Sequence, residues 1–241
     1  MRFLAAIIAF ALGMASAVVA SSPVQAQGIE VSPIKLVLAP GQTAATLTVT
    51  NHGDHSISFQ IRGFSWQQGS DSDTLAPSAA LAASPPIATI AAGGSQVVRL
   101  ILRQPPGNSE ASYRILFDQL PPPHEAGVVR VLLRLSIPVF AEPRTQVTPR
   151  VHWSISREQG HLWLVAVNDG SRHLTVGNLK LYGPDGRAID VEMMVPPHIL
   201  AGSTRRWPVA NLPLPPGSLL RLTGTADVGV IDERVRIDSG A

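Results

Sequence analysis

Two residue patterns in this chain are suited to gripping another polypeptide. The first is a stripe. From Val128 to Phe140 the sequence VVRVLLRLSIPVF is apolar at every second position: Val129, Val131, Leu133, Leu135, Ile137 and Val139. Successive side chains of a strand point to opposite faces, so this alternation predicts one wholly apolar face. The other face reads Val128, Arg130, Leu132, Arg134, Ser136 and Pro138. At about 3.3 Å per residue the run spans roughly 40 Å, about twice a usual strand. A small sheet does not cover that length. Pro138 has no N–H, which assigns its stretch to an edge or a bulge. Long apolar edges invite pairing with other chains and are normally suppressed. Keeping one fits a strand whose work is such pairing.

The second pattern is a lone charge. Arg114 stands in the apolar run SYRILFDQL at 112–120. Tyr113 and Ile115 take one face of that strand, which leaves Arg114 on the other with Leu116 and Asp118. A charged residue there needs a reason, and Asp118 is one available partner.

No residues have the spacing of a reaction centre. The absence of cysteine excludes a thiol nucleophile, a thiolate zinc site and a disulfide scaffold. The closest of the seven histidines, His52 and His55, flank Asp54 in a turn and lack further ligands. There is no GxSxG elbow, HExxH helix or phosphate-binding glycine loop. The expectation is a non-enzyme without metal or cofactor.

The elements that position these residues are β-strands. Prolines and glycines punctuate the chain, and no amphipathic helix is readable. Strands are expected at 29–38, 44–50, 56–66, 86–91, 95–103, 111–120 and 127–141, then at 151–157, 161–168, 174–182, 187–195, 204–210, 218–226 and 228–237. Each group of seven fits an immunoglobulin-like sandwich. The expected fold is therefore all-β: two such domains in tandem, 27–145 and 146–241, around a cleft. The break between them falls at Glu142 to Pro149. The Ala/Ser-rich segment Gln67 to Ala83 reads as a mobile loop. Trp66, Trp153, Trp163 and Trp207 read as core or domain-junction fillers.

Residues 1–26 read as a secretory signal peptide. Met1-Arg2 is positive, Phe3 to Ala20 is almost wholly apolar, and Val24-Gln25-Ala26 offers a cleavage site. The remainder is nearly neutral, since only Arg2 of the 19 Lys and Arg lies in that leader, against 17 Asp and Glu. Such a balance, with no basic cluster interleaved with aromatics, excludes a nucleic-acid binder.

The chain resembles the PapD-like periplasmic pilus chaperones of chaperone–usher systems. The resemblance rests on IEVSPIKLVLAPGQTAATLTVTNHG, SPPIATIAAGGSQVVRL, ASYRILFDQLPPP and VVRVLLRLSIPVFAEP, and in the second half on LWLVAVNDGSRHLTVGNLKLYGPDG. It implies a periplasmic chaperone that folds pilin-like subunits by donor-strand complementation and delivers them to an outer-membrane usher, with no small-molecule substrate. Donor residues are then Val129, Val131, Leu133 and Leu135, with Ile137 possible. The best-known branch fixes the subunit's C-terminal carboxylate with an Arg on the first strand and a Lys on the seventh. Those positions hold Lys35 and Pro138 here, and Pro138 binds no anion. The SIPVF ending and Tyr113-Arg114 resemble the archaic, alternative branch instead, which implies Arg114 as anchor and Lys35 as helper. The rival expectation is a secreted adhesive or carbohydrate-binding sandwich. Aromatics are only 5% of residues and, outside the leader, appear within the expected strands, which counts against it.

Overall fold

The computed structural model describes residues 28–122, 131–192, 197–210 and 213–238. The expected leader, donor position Val129 and Arg130 lie outside these residues. Every regular element among the described residues is a strand. The first half contains β1 (Ile29–Ser32), β2 (Leu36–Leu38), β3 (Ala44–Asn51), β4 (Ile57–Gln68), β5 (Asp73–Pro77), β6 (Leu81–Ser84), β7 (Ile87–Ile90), β8 (Ser95–Leu102), β9 (Ala111–Gln119) and β10 (Arg134–Ala141). They form two sheets, ordered β1-β3-β8-β6 and β2-β10-β9-β4-β5, with β7 also on β4. Alternate apolar residues of both sheets meet between them, among them Leu47, Val98 and Leu100 against Phe59, Ile115 and Phe117. Two sheets closed over one such layer make an immunoglobulin-like sandwich.

The second half contains β11 (Val151–Glu158), β12 (His161–Asn168), β13 (Leu174–Tyr182), β14 (Ala188–Ile189), β15 (His198–Ile199), β16 (Thr204–Val209), β17 (Leu219–Ala226) and β18 (Gly229–Arg236). Sheet β11-β12-β16 faces sheet β14-β13-β17-β18, with β15 on β13. Ile155, Leu164, Leu181, Trp207 and Leu222 fill the layer between. The protein is thus all-β, with two immunoglobulin-like domains in tandem.

Four elements differ from the sequence reading. The strand expected at 127–141 begins only at Arg134 among the described residues, because Val131 to Leu133 have no ladder partner along their length. The strand expected at 29–38 is two strands in two sheets: β1 runs antiparallel to β3, and β2 runs parallel to β10. Pro33, without an N–H, interrupts the ladder and lets the chain cross between sheets. The expected mobile loop at 67–83 is largely ordered sheet. β5 folds back on β4 with Gln68 opposite Asp73, and β6 joins β8. These strands escape sequence reading because DTLAP and LAAS lack apolar alternation; four of the five β5 residues are exposed, so the ladder, not burial, holds it. The strand expected at 187–195 shrinks to Ala188–Ile189 among the described residues.

Gly63 of β4 marks where β6 crosses closely. A Cβ placed on it meets the Leu81 carbonyl oxygen at 2.2 Å. Gly63→Ala is expected to cost about 1–3 kcal/mol through the forced backbone shift. Thermal unfolding checks this against Gly107→Ala, a position with nothing within 4 Å.

Candidate functional site

Strand β10 has two unequal edges. One pairs antiparallel with β9 over its whole length, from Arg134 opposite Asp118 to Ala141 opposite Ala111. The other pairs with β2 only at Val139, Phe140 and Ala141. From Arg134 to Pro138 that second edge has no strand beside it among the described residues. The expected donor residues are treated unequally too. Val131 is 90% exposed and Leu132 45%. Leu133 and Leu135 are half-buried, and Leu135 rests against the first core. Ile137, counted as a possible donor on sequence, belongs to the domain's own core at 4% exposure. It shares the apolar face, but that face turns inward before it reaches Ile137. The unfilled stretch therefore ends at Leu135.

Arg114 faces away from the core, as strand parity predicts, while Tyr113 and Ile115 enter it. Its guanidinium carbon lies 3.7 Å from the centre of the Trp66 ring, a cation–π geometry. Asp118 is not its partner. That carboxylate takes Arg62 Nη2 at 2.6 Å and Arg134 Nε. Burial opposes its ionisation, but these two bonds hold it below the usual carboxylate range. Among the described residues Arg114 has no hydrogen-bond or ion-pair partner, although it is only 8% exposed. Burial acts against its charge, Asp73 supports it, and Arg205 opposes it. A guanidinium stays protonated under that pressure, so its donors remain available to an anion.

Lys35 is exposed at the crossing between β1 and β2. Both it and Arg114 bear electrostatically on His198 of β15. The two basic residues singled out by the resemblance thus converge on the junction between the domains.

That junction is mostly polar, and sequence reading missed it. Its apolar part is Trp66, Phe140 and Leu200. His173 stacks on Phe140 with centroids 3.5 Å apart and an 8° tilt. Its Nδ1 lies 2.8 and 2.9 Å from the two carboxylate oxygens of Glu110, across the domain boundary. A carboxylate accepts only, so Nδ1 carries the proton. Glu142 takes Arg172 Nε at 3.1 Å. The β4–β5 hairpin adds a clasp. Gln68 donates to His198 O at 2.9 Å and accepts from Leu200 N at 3.0 Å. At its tip Asp71 takes Arg206, and Arg205 Nη1 lies 2.8 Å from Asp73. Trp66, expected as core or junction filler, is the junction residue of the four tryptophans.

A family model described as pili and flagellar-assembly chaperone, PapD N-terminal domain, matches residues 28–146. Residues 28–146 belong to the PapD-like chaperone family. No curated protein matches the chain's sequence. Among solved structures, the CsuC–CsuE chaperone–tip adhesion subunit complex of archaic Csu pili from Acinetobacter baumannii is similar at 24% identity and TM-score 0.64, covering 88% of this chain and 98% of that one. The YadV chaperone aligns at 16% identity and TM-score 0.63, over 86% and 98%. The SafA pilin–SafB chaperone complex of Salmonella enterica aligns at 13% and 0.60, over 88% and 96%. At these identities the likeness is one of fold.

His198 gives the junction a pH signature. Burial first, then the positive charges around it, push it down from 6.5 to about 3. Below about pH 6.5 the unfolded chain takes up a proton that the folded PapD-like chaperone refuses. Stability from this group is therefore complete above that pH and declines as pH falls toward 3, by up to about 1.4 kcal/mol per pH unit. His198→Asn is expected to flatten the fall in melting temperature between pH 6.5 and 4. An unchanged slope would place the acid sensitivity elsewhere.

Proposed function

We propose that this chaperone captures pilin-like subunits in the periplasm by lending them the segment 127–139, which runs into β10, and passes them to an outer-membrane usher. The observation that carries the reading is the open edge of β10 beside an apolar face that its own domain leaves unfilled. An acceptor strand of the subunit pairs with that edge through main-chain hydrogen bonds. Val129, Val131, Leu133 and Leu135 enter the subunit's core, each contributing roughly 1.5–3 kcal/mol on leaving water. Arg114, with Lys35 as helper, receives the subunit's C-terminal carboxylate. Support for that assignment is a buried guanidinium with no described partner, at the domain junction, where Pro138 sits directly opposite in the ladder. The archaic, alternative branch is the reading these residues favour. The leader at 1–26 delivers the chain to that compartment, and the two domains run 27–145 and 146–241.

Leu133→Asp tests the donor face. The variant is expected to stay folded and lose subunit capture, because a lone charge in an apolar groove costs several kcal/mol. Circular dichroism and copurification with the product of a neighbouring pilin-like frame measure both. Unfolding of the variant would mean that Leu133 serves the chaperone's own core.

Arg114→Ala tests the anchor. It is expected to weaken capture by about one to two decades, as for a charge-assisted contact, with little change in melting temperature. Arg114→Lys recovers part, lacking the fork. A subunit shortened at its C-terminus is expected to bind the wild type and Arg114→Ala equally. If the cost of Arg114→Ala survives that shortening, the arginine does not read the carboxylate.

A further inference from the structure

Asp73 is the described carboxylate whose charge supports that of Arg114, and it is a resident one. Trp66, Gln68 and Asp73 share a sheet face with Arg114. Phe64 is opposite Arg114 and Gln68 is opposite Asp73, and Trp66 lies between those positions on β4. By lying over Trp66 the guanidinium is drawn along the face toward Asp73. Left to itself, Asp73 is the natural counterion. It is engaged elsewhere: Arg205 Nη1 holds Oδ1 at 2.8 Å, and Gln68 Nε2 stands 3.4 Å from the same oxygen. Arg205 comes from β16 in the second domain, and its side chain is 9% exposed. It supplies the charge that a partly buried carboxylate requires.

We infer that Arg205 is a positioning residue that holds Asp73 away from Arg114 and so keeps Arg114 open to an incoming carboxylate. The inference rests on the proposed anchor role of Arg114. Without Arg205, Asp73 turns to the remaining buried cation and closes the site with an internal ion pair. The second domain then does more than wall the cleft: it holds back the competitor of the subunit's terminus.

The test uses the full-length chaperone coexpressed in the periplasm with the pilin-like subunit of a neighbouring frame, capture being read by copurification and competition. Arg205→Met is expected to lower capture about tenfold, as loss of one charge-assisted contact does. Arg205→Lys should keep most of it. The deciding variant is Asp73→Asn in the Arg205→Met background, expected to restore capture to within about threefold of wild type, since the competing charge is gone. A purely structural role predicts the reverse, because the double variant still lacks the clasp. Wild-type capture by Arg205→Met, or equal loss in the single and double variants, overturns the inference and leaves the anchor standing. Wild-type capture by Arg114→Ala overturns the anchor itself. Should Arg205→Met misfold, a normal melting temperature with lost capture in Arg205→Gln serves the same comparison with Asp73→Asn.

Discussion

A strand in a sheet has two rows of backbone hydrogen-bonding groups, and among the described residues β10 has a strand on only one side over Arg134 to Pro138. The rest of the first domain is arranged around that asymmetry. Moving β2 along by a few residues would seal the edge. Instead the crossing at 33–35 delivers β2 to the far end of β10, where it covers only Val139 to Ala141. The same strand therefore changes character along its length. Its C-terminal part is fully buried in the sandwich, with Val139 and Phe140 at 0% exposure, while Arg134 and Ser136 are exposed, and Val131, just before the strand, stands 90% exposed. The buried part holds the strand in place while the open part stays available.

The domain junction solves a different problem. Three apolar side chains, Trp66, Phe140 and Leu200, are too few to fix the angle between two domains, because apolar contact is non-directional. Directional bonds surround them: Glu110 on His173, Glu142 on Arg172, Gln68 on the backbone of His198 and Leu200. Each joins one domain to the other, so a change of angle breaks several at once. Breaking one side of a buried pair leaves an uncompensated group and is costly. The angle matters because it sets where Arg205 of one domain stands relative to Asp73 and Arg114 of the other.

What could be read from the sequence divides along the same physical line. Period-2 alternation exposed β10, and parity alone gave the face of Arg114, since both follow from the local geometry of a strand. Assigning Arg114 to Asp118 or away from it did not follow, because Arg62 and Arg134 reach Asp118 from neighbouring strands. The hairpin at 67–77 was unreadable for a further reason. Its strand β5 buries little, and its stabilising partners lie far along the chain, Gln68 being 130 residues from His198. The buried His173–Glu110 pair spans 63 residues, and no local pattern marks either member. Ile137 was misjudged because alternation reports which side chains share a face but not which neighbour covers it.

Alternation also leaves a degeneracy that the anchor resolves. A strand slipped by one residue presents the wrong face and is rejected. A slip of two keeps the apolar face and merely shifts which side chain enters which pocket. Val131, Leu133 and Leu135 are too alike in character to forbid that on their own. A fixed charge at one end removes the ambiguity. Arg114 lies opposite Pro138 in the ladder, so on the proposed reading a bound carboxylate sets the origin from which the donor residues are counted. Leu135, Leu133 and Val131 then stand about 10, 17 and 23 Å from it along the strand. On that same reading, burial of the stripe supplies most of the affinity and the guanidinium supplies the register. A site with that duty must not be filled by the protein's own carboxylate, which is the role the geometry leaves to the pair Asp73 and Arg205.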